Sequence, residues 1–270
     1  MTTVAYRTGL YVPGDRPDRF ASAAGSGADL VVFDLEDAVS PDHKAEAREA
    51  VSAWMHGWPS QAEGGPARQV RVNADDDDDL RAIAALPADV GVRLPKTEDP
   101  ADLDRVADLA PGRPVTALLE SARGVMNAAR IAEHPAVAAL ALGDSDLRSE
   151  LGGGRPVLDH ARLVALYAAR AAGLPAPMAS VYPAIRDAQG LASDTRRLAE
   201  LGLWGRMAVH PAQVPVIAGV FAPSAEEVAW AEEVRAALAG GGVATLASGE
   251  MVDPAMRGRA DRILAAHHAA

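Results

Sequence analysis

The sequence predicts an α/β fold: a TIM (β/α)₈ barrel followed by a C-terminal helical extension. Three observations lead there. Eight short apolar runs alternate with helix-compatible stretches between residues 8 and 222, the pattern of repeated βα units with a parallel sheet. A chain of 270 residues is long enough for one large domain with a full core. The open doubly wound alternative usually carries a phosphate-cradling glycine loop, and neither GxGxxG nor GxxxxGK[ST] occurs. The expected organisation is a barrel over residues 1–222 and an extension over 223–270 that covers the barrel or reaches a neighbouring subunit.

The predicted strands are 8–12, 30–34, 69–72, 91–95, 115–119, 138–142, 179–184 and 206–209. Predicted helices fall at 17–24, 43–55, 78–86, 101–109, 123–133, 159–172, 190–201 and 212–219. In the 159–172 stretch Asp159 reads as the N-cap, with Leu163, Leu166, Tyr167 and Arg170 on one side and Gly173 as the stop. Beyond the barrel, Ser224-Ala-Glu-Glu227 is a capping box, Gly240-Gly-Gly242 a flexible link, and 254–266 a last helix. The run Asp75–Asp79 reads as a solvated loop entering a helix N-terminus, where anions suit the dipole. It lacks the glycine and terminal glutamate of a calcium loop.

Composition narrows the function. Apolar residues make up 49% but aromatics only 4%, so alanine, leucine and valine must fill the core. A net charge of −11 argues against a nucleic-acid surface, which needs a basic footprint. With no cysteine, disulfides, thiol nucleophiles and thiolate metal sites are excluded. No charge-free apolar stretch reaches the roughly 20 residues of a membrane span, and the N-terminus has no signal-like apolar run. A cytoplasmic protein that does not engage the membrane is expected.

The chemistry is read from the strand ends, which converge on one mouth in a barrel. Strand two ends in Asp34-Leu-Glu36-Asp37, strand three carries Arg71 and strand four ends in Lys96. Strand five ends in Glu120, strand six in Asp146 and strand eight in His210. Charges avoid strands unless paired or functional, so this set reads either as an ion-pair ring closing the mouth or as an active site. Oxygen ligands without cysteine favour Mg²⁺ or Mn²⁺, and Glu120 with Asp146 match the one or two carboxylates Mg²⁺ takes. His210 is a zinc candidate, but before Pro211 it reads better as structural. Arg71 is the natural anion clamp, with a bridge to Glu36, Asp37 or Glu120 as its other reading. The loop from Val12 to Pro17 offers backbone N–H groups to an anion.

Several ordered motifs resemble the citrate lyase β-subunit-like proteins of the HpcH/HpaI aldolase superfamily. They are Leu10-Tyr-Val-Pro-Gly-Asp-Arg-Pro17, Val32-Phe-Asp-Leu-Glu-Asp-Ala-Val39, Val70-Arg-Val-Asn73, Leu94-Pro-Lys96 and Leu118-Leu-Glu-Ser-Ala-Arg-Gly124. Ala141-Leu-Gly143 with Asp146-Leu147, His210-Pro-Ala-Gln213 and Gly249-Glu-Met-Val-Asp253-Pro complete the set. The resemblance implies a TIM barrel that binds Mg²⁺ and cleaves or forms a C–C bond in β-hydroxyacyl-CoA thioesters of malyl, citramalyl, methylmalyl or citryl type, with CoA as part of the substrate and an α-keto acid as product. It implies metal ligands at Glu120 and Asp146, substrate contacts at Arg71, Glu120, Gly143 and Asp146, and an acid/base role for Asp253. That aspartate is often delivered by a neighbouring protomer, so a homo-oligomer, trimer or hexamer, is expected.

On this reading Arg71 stabilises the thioester enolate, Asp253 moves its proton, and Glu36 and Asp37 orient water held by the ion. Arg16, Arg19, Lys44 and Arg48 are candidates for CoA phosphate contacts. The chain departs from the family in having Asp144-Ser145 where Ala-Glu is usual, which offers Asp144 as a substitute ligand, and Ser121 where Thr is usual. The rival readings are a class II aldolase on free hydroxy-keto acids, against which Asp37 stands in place of that branch's His, and a non-autonomous lyase subunit acting on a carrier-protein thioester.

Overall fold

The computed structural model describes residues 5–59 and 64–268, so the first four residues of the N-terminal reading lie outside the described residues. The chain divides into two compact units, Met1–Ala218 and Gly219–Ala270.

The first unit is built on a seven-stranded sheet. Its strands are β1 (Thr8–Pro13), β2 (Leu30–Asp34), β3 (Ala67–Arg71), β4 (Gly91–Leu94), β5 (Val115–Leu119), β6 (Val137–Leu142) and β7 (Arg206–Ala208). The order is β6-β5-β4-β3-β2-β1-β7, and every neighbouring pair is parallel. Consecutive strands lie side by side with helices between them, as right-handed βα crossovers require. Burial of all five residues of β2 and of β5 explains why these runs read as continuous apolar segments rather than alternating ones.

Both edges of the sheet reach one stretch of chain. Ala141 of β6 bridges Met178, and Arg206 of β7 bridges Ala179, each in parallel sense; a sheet whose two edges meet the same segment is curled. The expected seventh strand, 179–184, does not form as a strand; these isolated bridges take its place. Pro175 and Pro177 precede it and Pro183 lies within it, and proline has no N–H for a ladder. A side chain substitutes: the Ser180 hydroxyl donates to the Leu142 carbonyl at 2.7 Å.

Two helix expectations and one loop expectation need correction. The 123–133 stretch is two short helices, Ala122–Met126 and Ala128–Ala132. They break at Asn127, whose amide donates to the Glu98 carbonyl at 2.7 Å instead of supporting the helix. The helix expected from Asp159 begins earlier and spans Arg155–Ala171, with Gly154 as N-cap. Its buried face is Leu158, Ala161, Arg162, Ala165, Ala168 and Ala169, while Tyr167 is 68% exposed. The alanines let this helix approach β6 and the Ala128–Ala132 helix, so small size outweighs hydrophobicity in choosing the face. Gly173 does end it, at φ +75°. The acidic run is only partly solvated, because Asp79 is fully buried and accepts from Arg48 Nε and the Asn73 backbone.

The few aromatics concentrate outside β2, where Phe33 meets Phe20 edge-on at 4.8 Å and Trp58 at 5.5 Å. In the second unit the Ala225–Ala237 helix opens with the Ser224/Glu227 capping box. It packs with a two-residue antiparallel ladder and the Pro254–His268 helix around Val234, Leu238, Val252 and Leu264.

Candidate active site

The carboxyl ends of β2 to β6 carry the charged residues. Asp34, the last residue of β2, is buried and organises the turn after it by accepting from the Glu36 backbone N–H at 2.9 Å. Arg71, the last residue of β3, forks onto Asp34 with Nε at 2.7 Å and Nη2 at 2.6 Å, a bidentate geometry only arginine offers. Its Nη1 lies 2.8 Å from Glu36 and 3.4 Å from Asp37, and its guanidinium stacks 5.2 Å over Tyr11. Burial opposes the charge of Arg71, but the hydrogen bonds and charge of Asp34 outweigh it and hold the group above its ordinary value. The sequence offers Arg71 as an anion clamp or as a bridge to Glu36, Asp37 or Glu120. The bridges to Glu36 and Asp37 are present, and its bidentate partner is Asp34, which the sequence reading did not name.

Lys96 ties the two halves of the mouth together. It follows Pro95 at the end of β4 and has φ +51°, the one positive φ outside glycine among the described residues, a conformation that stores strain. This twist aims its backbone N–H at Glu120 Oε1, 2.7 Å away, while its ammonium lies 3.0 Å from Glu36 Oε1. Sequence reasoning placed Lys96 at a strand end but gave it no role. A lysine after Pro carries no signal for a left-handed turn.

Glu120 follows β5 directly and is 6% exposed. Burial raises its carboxyl to about 7; the Lys96 N–H offsets part of this, while the charges of Glu36 and Asp146 add to it. Gly143, after β6, makes room for it: an added Cβ would stand 2.4 Å from Glu120 Oε2. Burial likewise pushes Glu36 up, against the pull of Arg71 and Lys96.

Asp146 is not at a strand end. β6 stops at Leu142, and Asp146 is exposed in the first turn of the Asp144–Leu151 helix, where a carboxylate faces the positive end of the dipole. Asp144 pairs through Oδ2 with the buried Arg162, which also holds Asp159, and its Oδ1 is buried without a hydrogen-bond partner among the described residues.

The donor set is all oxygen. Among the described residues no three of His, Cys, Asp or Glu gather as a metal cluster, so the protein offers at most a carboxylate pair. That suits Mg²⁺, which completes its octahedron with water and substrate oxygens. A buried carboxylate whose side chain has a single backbone N–H partner, in a space kept open by a glycine, fits such an ion. His210 instead caps the 3-10 helix after β7, its Nδ1 accepting from the Ala212 N–H at 3.1 Å.

Most expected CoA contacts are otherwise engaged. Lys44 donates to the Leu35 and Glu36 carbonyls and to Asn73, and Arg48 pairs with Asp76 and Asp79. Arg16 pairs with Asp18 on the surface, and Arg19 is exposed. In the Val12–Pro17 loop the Gly14 N–H donates to the Asp34 carbonyl at 2.8 Å, so it is not free to cradle an anion. Asp253 belongs to the second unit, where Oδ1 accepts from the Ala255 N–H at 2.9 Å.

A model of the HpcH/HpaI aldolase/citrate lyase family matches residues 7–211. A (3S)-malyl-CoA thioesterase of Cereibacter sphaeroides is 37% identical over 240 residues, covering 86% of this chain and 82% of the relative. A citrate lyase subunit beta-like protein of Mycobacterium tuberculosis is 38% identical over 268 residues, covering 94% and 93%. Among solved structures, protein CitE from Mycobacterium tuberculosis in complex with magnesium, acetoacetate and coenzyme A superposes with a TM-score of 0.81 at 35% identity, covering 98% of this chain and 99% of that one.

Proposed function

The chain belongs to the HpcH/HpaI aldolase/citrate lyase family, and we propose that it is a Mg²⁺-dependent C–C lyase acting on a β-hydroxyacyl-CoA thioester. Its substrate is of malyl, citramalyl or citryl type, and its products are an α-keto acid and an acyl-CoA. The observation that carries the reading is the contrast within the mouth: Arg71 is fully engaged by carboxylates, while Glu120 has only a backbone N–H and lies within the field of Asp146.

Glu120 and Asp146 would hold the ion, which would supply the Lewis acidity that lowers the pKa of the substrate hydroxyl. Cleavage passes the hydroxyl proton to water and breaks the bond between the carbinol carbon and the carbon next to the thioester, and the electron pair passes into a thioester enolate. The half-exposed ammonium of Lys96 presents positive charge to that enolate, and Arg71, locked by Asp34 so that it does not reorganise, adds its field from within its carboxylate pairs. Asp253 protonates the enolate carbon, supplied by a neighbouring protomer of a homo-oligomer. Residues 178–179 take the seventh position of a closed barrel around this site.

The test is Mg²⁺-dependent keto-acid release from malyl-, citramalyl- and citryl-CoA, with Asp253→Asn beside the wild type. Chelation abolishes release, and the variant loses roughly 10²-fold or more in kcat with little change in keto-acid affinity. An unchanged kcat removes Asp253 from the chemistry. The name of the Cereibacter relative favours thioester hydrolysis as a second reading. The chain has no cysteine, so a thiol reagent reads only liberated CoA, and thiol appearing without keto acid selects hydrolysis.

A further inference from the structure

At the opposite ends of the strands from the mouth lies a cavity of about 730 Å³, lined by the first residues of β2, β3 and β4, namely Leu30, Ala67 and Gly91. Arg93 of β4 lines it and is 2% exposed. Its Nε reaches Gln69 Oε1 at 3.3 Å, Nη1 the Tyr11 hydroxyl at 3.3 Å and Nη2 the Met207 sulfur at 3.7 Å. All three partners are neutral and all three contacts are long. The other buried arginines among the described residues are compensated: Arg68 by Asp89, Arg162 by Asp144 and Asp159, Arg206 by Asp194, and Arg113 by four backbone carbonyls. A guanidinium does not lose its proton, and a buried charge needs a partner.

We propose that this cavity binds a small organic monocarboxylate, with Arg93 as its cation. The guanidinium has five N–H donors, of which its neighbours take three, so the rest are available for the two oxygens of a carboxylate. Thr116 lines the same cavity and accepts from Gln69 Nε2 at 2.9 Å, which leaves its own hydroxyl proton to donate. The walls at Ala139, Leu140 and Met178 are apolar and suit a short hydrocarbon chain. A dianion such as phosphate is disfavoured, because the other basic residues on the wall are engaged: Arg68 and Arg113 as above, and His134 with Asp104 at 3.2 Å.

The experiment is a ligand-observed NMR titration of butyrate against the full chain in excess Mg²⁺, repeated with Arg93→Met and Arg93→Lys. Wild type binds saturably at one site, Arg93→Met at least ~10-fold more weakly, as for a lost charge-assisted pair, and Arg93→Lys in between, since lysine offers a point charge and no fork. Oxaloacetate, a dianion directed to the mouth, leaves butyrate in place. The proposal is overturned by absence of saturation in wild type, by equal affinity in Arg93→Met, by displacement with oxaloacetate, or by inorganic phosphate binding as tightly as butyrate. Should Arg93→Met fail to fold, Arg93→Lys and the competition decide.

Discussion

Glu36 and Glu120 face the same mouth from opposite sides of Lys96, are buried to nearly the same extent, and are raised by that burial. They differ in what balances them. Glu36 has Arg71 at 2.8 Å and Lys96 at 3.0 Å; Glu120 has a single backbone N–H at 2.7 Å. One carboxylate is therefore already neutralised and serves as scaffold, and the other is left as the place where a cation lowers the energy most. Two glutamates at strand ends look alike in sequence, and only the ion pairs separate their roles.

The strongest way to break this contrast is to neutralise each in turn. Glu120→Gln is expected to lower kcat/KM by about 10³-fold, the several kcal/mol an ion supplies. Glu36→Gln is expected to cost roughly 10- to 100-fold, as for a supporting group. Equal losses in steady-state assays would dissolve the distinction. Removing the balancing cation tests it from the other side. Arg71→Met leaves Asp34 buried without a counter-charge and Glu36 with Lys96 alone, and should destabilise the fold by about 3–5 kcal/mol in urea titrations; an unchanged midpoint would show that Arg71 does not neutralise them.

The pH dependence sharpens the Glu120 side. Folding raises its carboxyl from 4.5 to about 7, so the folded chain holds a proton that the unfolded chain releases across that window. This contribution to stability is fully present below about pH 4.5 and is lost as pH rises through 7, by up to roughly 3 kcal/mol. An ion replacing the proton restores it, so the rise in Tm on adding Mg²⁺ should be larger at pH 8 than at pH 6. A rise independent of pH would sink the assignment. The smallest effect concerns Lys96. Lys96→Gly removes the strain of φ +51° along with a half-exposed ion pair, and should stay within ~1 kcal/mol of wild type. Lys96→Ala, which keeps the strain without the pair, should be less stable than the glycine variant by chemical denaturation.

Much of the frame was legible in the chain. Strands at β2 and β5 were found to the residue and the others within two, because parallel strands buried on both faces must be unbroken apolar runs. The Ser224/Glu227 cap was readable because its two partners stand three residues apart. The motif pair at Glu120 and Gly143 was visible too, though not the reason that the second must be glycine. The seventh strand, 179–184, failed because its run of apolar residues says nothing of how prolines before and within it deplete the ladder of donors.

Local pattern determined which segments become strands, which end of each carries charge, and that the donors are oxygens. Tertiary structure alone decided how those charges are shared: Arg71 with Asp34 across 37 residues, Lys44 with Asn73 across 29, Asp144 with Arg162, and Arg93 with no anion among the described residues. Periodicity records only which way a side chain points relative to its neighbours in sequence. The partner of a charge depends on strand register and on burial, which exist only once distant segments have met.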